Sequence, residues 1–503
     1  MTDRISRRDT LKGLALGAGG LLAERGGAAA PAHPASAATL PGAHQPAPHA
    51  APAPRQIRSF LTSQEGGQRL AEQQALAVAP DNSDGGGDGE RPSLWVDSSH
   101  RFQTLLGFGG AFTESAAVTW QKLSEPRREE VLRAYFDPDE GHGYAMCRVH
   151  MNSCDFSLGN YAHVETPGDT ELKSFSIARD RQALIPFIQA AQRVAKHPIR
   201  ILASPWSPPA WMKSNGEMNH GGTLLPQYRQ AWARCYARFI REYAAEGIPI
   251  WGVSVQNEPM AVQTWDSCTY TAEAERDFVR DHLGPGLAAA GLGHVNIVIW
   301  DHNRDLMVER ANVVYADAAA ARYVWGTGFH WYVEDDFDHV QQVHDAWPDK
   351  HLLFTEGCQE GGPHLGSWDL GERYARSMIN DLNRWTEGWM DWNLVLDVQG
   401  GPNHVGNYCS APIIVDTAGD ALLRQSSYYY MGHFARFIRP GARRIVCAAS
   451  LQELETTGFI NADGSIAIVA MNRGANPLPF VLSVNGGRWL AQLPARSIAT
   501  YLG

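Results

Sequence analysis

Eight short apolar runs, each followed by a helix-patterned stretch, constrain this chain more than any other feature. The runs are "LLGFGG" (105–110), "YAMCRVHM" (144–151), "IRILASPW" (199–206), "PIWGVSVQNEP" (249–259), "VNIVIWDHN" (295–303), "YVWGTGFHWY" (323–332), "HLLFTEG" (351–357) and "MDWNLVLD" (390–397). Between them, "DRQALIPFIQAAQRVAKH" sets Leu184, Phe187, Ile188, Ala191 and Val194 at three- and four-residue steps, one face of a helix. "LPQYRQAWARCYARFIREYAAEG" carries a proline near its start and a glycine after its end, as helices prefer. Eight alternating strand–helix units predict an α/β fold, a (β/α)8 TIM barrel over residues 105–438. A doubly wound open sheet is the competing architecture, but no GxGxxG opens a helix.

The two ends of the chain read differently. "SRRDTLKGLALGAGGLLA" joins the paired arginines Arg7 and Arg8 to an apolar stretch too short to span a bilayer. Small-residue sites follow at 28–30 and 35–37, so residues 1–37 read as an export signal of the twin-arginine (Tat) type. That predicts a periplasmic or extracellular protein with no stable membrane insertion. Removing the segment takes five positive and three negative charges from the formal −11 and leaves −13. With no basic run beyond the extreme N-terminus, nucleic acid is excluded as a partner. Residues 38–55 read as a disordered Ala/Pro linker. From about residue 439 to 503, "NADGS" and "VNGG" mark hairpins between short strands. The segment 56–104 supplies the strands this thin unit lacks, giving a side β-sandwich built from both chain ends. Seven widely spaced cysteines without a CxxC pair argue against a disulfide framework, in keeping with folding in a reducing cytoplasm.

Function is written at the strand tips. Six of the eight runs end in polar or aromatic residues, among them Trp206, Asn257-Glu258, Asp301-His302-Asn303, His330-Trp331-Tyr332, Glu356 and Trp392-Asn393. In a barrel these tips converge on one face, where the chemistry sits. Glu258 and Glu356 stand at the tips of the fourth and seventh strands, 98 residues apart, across the mouth from each other. Two carboxyls facing one sugar are what glycosidic cleavage needs: one protonates the leaving oxygen, and the other attacks the anomeric carbon or activates water. An ionised Glu356 nearby favours the protonated form of Glu258. Asn257 is placed to hold a sugar hydroxyl. Trp206 and Trp392 offer faces and walls for a pyranose.

The stretches "LGFGGAFTESAA", "SCDFSLGNY", "ASPWSPPAWMKSNG", "VQNEP", "HWY", "TEG" and "DWNLVLDVQGGPNHVGNYCSAPIIVD" together resemble glycoside hydrolase family 30, in particular its glucosylceramidase-like members. The likeness runs from about residue 56 to the C-terminus. It implies a barrel with a side sandwich that hydrolyses β-glycosides with retention, Glu258 as acid/base and Glu356 as nucleophile. It also implies sugar contacts for Asp155, Trp206, Asn257, His330, Tyr332, Trp392 and Asn407. The expected partner is a β-glucoside, a glucan or a glycolipid; β-1,6-glucan and β-xylosides fit a mouth of this kind, and the oligomeric state stays open.

Other residues carry less. Glu360 lies off the strand in a Gly-rich loop, and Glu114 opens a helix where a carboxylate suits the dipole. Asp301, His302 and His330 hint at a metal, but no HExxH accompanies them and glycoside cleavage needs none, so no metal or cofactor is expected. A non-catalytic carbohydrate-binding protein would keep the aromatics and lack one of the two carboxyls; both are present.

Overall fold

Strands buried on both faces along nearly their whole length decide the architecture. The computed structural model describes residues 51–79 and 91–503. The export-signal segment and residues 38–50 of the linker lie outside them. Eight parallel strands close a barrel: β1 (Gly107–Phe112), β2 (Met146–Met151), β3 (Arg200–Pro205), β4 (Ile250–Ser254), β5 (Asn296–Asn303), β6 (Val324–His330), β7 (His351–Glu356) and β8 (Thr386–Asn393). β8 returns to pair with β1, so no edge remains. Met146, Leu202, Val298, Leu353 and Met390 form one apolar cluster from five of these strands. Side chains two residues further along a strand share the same face. On β2, β3 and β8 those are Arg148, Ser204 and Trp392, so a polar and aromatic tier follows the apolar one toward the strand tips.

Two strands depart from the sequence reading. The fourth was expected to run to Pro259, but its ladder ends at Ser254. Beyond it the chain keeps single bonds to both neighbours: the Val255 N–H donates to the Val298 carbonyl, Asn257 to Pro205 and Glu258 to Asp301. The eighth starts at Thr386, because Thr-Glu-Gly reads as a turn yet is held between β7 and β1. Val395–Asp397 leaves the barrel for a small sheet with Ile413–Asp416 and Ala421–Arg424.

Outside the barrel, Arg58–Ser63 and Ser93–Thr104 join the C-terminal strands in one ten-stranded sheet. That sheet folds over on itself: Phe480 meets Tyr501 edge-on at 6.1 Å although their strands are not neighbours. A second apolar core of Leu94, Ile445, Leu482, Trp489 and their neighbours fills the fold. The sandwich is tied to the barrel through the helix Ser426–Ala435, where buried His433 bonds Thr500 on one side and Thr62 on the other, each at 2.9 Å. None of the seven cysteines is joined in a disulfide. Among the described residues no helix is long and apolar enough to cross a membrane.

Candidate active site

A single buried arginine organises the mouth of the barrel. Arg148, in the middle of β2, is fully buried, and a charge there must be paired. Its guanidinium donates to Ser204 Oγ at 2.9 Å, Asn257 Oδ1 at 2.9 Å, Asp301 Oδ2 at 2.7 Å and Glu356 Oε2 at 2.5 Å. It also lies over the rings of Trp206 and Trp392, 4.7 and 5.6 Å from their centroids. Burial works against its charge, but Asp301 and Glu356 outweigh it and raise its pKa. One cation thus fixes groups from β3, β5, β7 and the segment after β4.

Glu356 is the last residue of β7 and 1% exposed. Its second oxygen accepts from the Tyr332 hydroxyl at 2.7 Å. That hydroxyl also lies 3.5 Å from Cys358 Sγ. Glu258 lies past β4 in the left-handed backbone region (φ +47°), a conformation unusual for a glutamate and held by its bond to the Asp301 carbonyl. Its Oε1 is 3.2 Å from His330 Nδ1. The other ring nitrogen of His330 is 3.0 Å from Asp301 Oδ1. Burial disfavours the charged form of His330, yet the Glu356 charge and the bonds to Asp301 and Glu258 prevail and raise its pKa. Asp301 is likewise buried, and the Arg148 charge and the His330 bond hold it well below the usual carboxylate range.

The structure joins seven of the nine residues singled out in the sequence into one network: Glu258, His330, Asn257, Glu356, Tyr332, Trp206 and Trp392. Trp206 and Trp392 stack on each other at 5.2 Å rather than standing as separate walls. The remaining two, Asp155 and Asn407, pair through Asn407 Nδ2 and Asp155 Oδ2 at 2.9 Å. They reach the network through Phe156, whose ring meets Trp392 edge-on at 6.0 Å. Glu360 stays in its loop, in a single bridge with Cys409. Glu114 opens the helix Glu114–Gln121 as expected, and also binds the Arg179 guanidinium and the Leu158 N–H.

The sequence reading missed Arg148, Ser204 and the orienting part of Asp301. A lone arginine inside "YAMCRVHM" was the available signal, since a charge inside an apolar strand demands partners. The role of Asp301 was hidden by a bulge. Trp300 and Asp301 both have positive φ (+70° and +51°), and the β5–β6 register slips beside them. The side chains of Asp301 and His302 therefore both face the mouth, where regular alternation would separate them. His302 Nδ1 comes within 3.8 Å of Glu258 Oε1, and burial lowers its pKa to about 4. Glu258, His302 and His330 offer three possible cation ligands, the one such group among the described residues.

Among the described residues, two clefts of substrate size lie outside this network. One of about 1090 Å³ separates barrel helices from the sandwich and is lined by Arg376, Arg384 and Glu455. It contains no strand tip. The other, about 640 Å³, is lined by Pro259, Leu224, Met260, Val262 and Tyr270 together with the charged Arg229, Glu273, Glu309 and Arg310.

Comparisons with known proteins bear on the family and the fold. The chain matches the glycosyl hydrolase family 30 TIM-barrel domain over residues 105–438 and the beta sandwich domain of the same family over 441–501. It is 37% identical over 430 residues to the lysosomal acid glucosylceramidase of Mus musculus, covering 81% of this chain and 83% of the relative. The crystal structure of SrfJ from Salmonella typhimurium superposes with a TM-score of 0.84 at 38% identity, covering 89% of this chain and 99% of that one. The endo-beta1,6-glucanase BT3312 superposes with a TM-score of 0.80 at 27% identity, with the same coverage.

Proposed function

The chain belongs to glycosyl hydrolase family 30 and is a glycosidase; from that premise we propose that it cleaves β-glucosides with retention, by double displacement. The observation that carries this reading is the chain of contacts Glu356–Arg148–Asp301–His330–Glu258, which links two carboxyls from strands 4 and 7 at one mouth. Glu356 attacks the anomeric carbon while the bond to the leaving oxygen breaks and Glu258 gives that oxygen its proton. Water then adds to the glycosyl ester, with Glu258 taking its proton back. Arg148 and the Tyr332 hydroxyl each hold one oxygen of Glu356 and fix its carboxyl at the mouth.

His330 suits both halves of the cycle. A neutral ring that donates through Nε2 to Asp301 accepts at Nδ1 from protonated Glu258; an imidazolium donates to ionised Glu258. Asn257 accepts from Arg148 through its oxygen, which turns its amide N–H groups away from the arginine and leaves them for a sugar hydroxyl. Trp206, Trp392, Tyr332, His330, Asp155 and Asn407 complete the sugar subsite in this reading. No metal or cofactor enters the chemistry.

The apolar part of the cleft at Pro259, formed by Leu224, Met260, Val262 and Tyr270, favours a β-glucoside with a partly apolar aglycone, as in a glycolipid. The likeness to the endo-beta1,6-glucanase BT3312 keeps β-1,6-glucan as the second reading. Glu356→Gln tests the mechanism: turnover of an aryl β-glucoside falls by about 10³-fold or more in a protein that still folds, on the scale seen when a covalent nucleophile is removed. Undiminished turnover removes Glu356 from the mechanism. Glucosylceramide, a β-1,6-glucan and an aryl β-xyloside, assayed in parallel with product lengths recorded, decide the aglycone and separate exo from endo action. Export by the twin-arginine route belongs to the same proposal and rests on Arg7, Arg8 and the apolar stretch after them.

A further inference from the structure

We infer that the barrel mouth holds an inhibitory site for a borderline-soft divalent cation such as Zn²⁺, ligated by Glu258 Oε1, His302 Nδ1 and His330 Nδ1. One ligand atom from each of the three residues lies within 4.8 Å of the others. Glu258 Oε1 is 3.2 Å from His330 Nδ1 and 3.8 Å from His302 Nδ1. Ligands of a tetrahedral zinc, each about 2.0–2.2 Å from the metal, stand about 3.4 Å apart. The two spacings from Glu258 are therefore already close to those of a zinc site.

The surroundings are built as such sites are. A ligating histidine is commonly oriented by a carboxylate on its other nitrogen. Asp301 occupies that position on His330 at 3.0 Å and is itself fixed by Arg148. His302 supplies the second, independent observation. The bulge at Asp301 turns its ring toward Glu258, and its Nδ1 is buried with no hydrogen-bond partner. A buried nitrogen in that state needs an explanation, and catalysis of glycoside cleavage gives none. Two imidazole nitrogens and one carboxylate oxygen suit Zn²⁺ or Cu²⁺ and disfavour Mg²⁺ and Ca²⁺, which want oxygen ligands. Three protein ligands leave a fourth position for water or the substrate.

Inhibition follows from which oxygen is taken. Glu258 Oε1 ligating a cation holds no proton for the leaving group, so the inhibitory part rests on the acid/base role proposed above; the binding part does not. The experiment uses the full chain, stripped with EDTA, and ZnCl₂ as the probe. Calorimetry is expected to show one Zn²⁺ per chain. Turnover of an aryl β-glucoside is expected to fall at least tenfold on saturation, to recover with EDTA, and to be unaffected by Mg²⁺. His302→Phe keeps the ring and removes the nitrogens; measured against its own metal-free rate, it loses less than twofold at the same Zn²⁺ concentration. His302→Asn serves as a second variant, and a Zn²⁺-induced rise in melting temperature in the wild type, absent from both variants, reports binding without turnover. Unchanged zinc affinity in both variants, or no one-to-one binding in the wild type, overturns the site. Binding that needs His302 but leaves turnover intact overturns the inhibitory role and counts against Glu258 as proton donor.

Discussion

Arg148 contacts both the nucleophile candidate and the acid/base support, although nothing in the strand's periodicity announces it. The two glutamates were legible because a polar residue at the tip of an apolar strand has few structural uses. The arginine was not, because its partners come from three other strands and only the closed barrel brings them together. The same holds for His330, which the sequence placed at the mouth without showing that it bridges Asp301 and Glu258. Its folded-state pKa is raised above the ordinary value near 6.5. The folded protein therefore binds more protons than the unfolded chain between those two values, and stability from the imidazolium is lost as pH rises through the folded one. His330→Gln is thus expected to cost most stability at the acid end, with the gap to wild type narrowing above neutrality. Chemical denaturation from pH 5 to 9 checks this, and a constant gap would show that His330 carries no extra proton.

Elements, more than single residues, follow the sequence rules. The helices Leu184–Ala195 and Arg229–Ala245 fall where apolar spacing and end residues put them. All eight strands were found, yet β4 and β8 have shifted ends, because the ladder depends on neighbouring strands and not on the run's own composition. Close approach of strands is paid for with glycine. A Cβ on Gly109 of β1 would sit 1.8 Å from the Met146 carbonyl oxygen of β2, backbone that cannot swing away. Gly109→Ala is expected to destabilise the barrel by about 3 kcal/mol, the upper end of overpacking costs. Thermal unfolding measures it; a melting temperature within a degree of wild type would mean that β1 and β2 are not so close.

At the scale of the whole molecule, the chain ends meet in one sheet, which docks on the barrel through His433 between Thr62 and Thr500. The hairpin signals made the C-terminal strands legible. The partnership of Arg58–Ser63 with them is a long-range pairing that no local pattern encodes, and it was reached only by asking what a thin sheet lacks. The proposed export route adds a condition: the sandwich must form in the cytoplasm, where seven cysteines without a disulfide are at home. Arg7→Lys with Arg8→Lys is expected to leave activity in the cytoplasmic fraction and to abolish it outside. Export unaffected by the pair would exclude the twin-arginine route.

The most direct test of two carboxyls acting in sequence on one anomeric carbon is the stereochemistry of the first product. An aryl β-glucoside is hydrolysed in deuterated buffer and followed by proton NMR before mutarotation. Double displacement through Glu356 releases β-glucose first, with the α-anomer rising later. α-Glucose as the initial product would mean that water attacks directly, and Glu356 would not be a nucleophile.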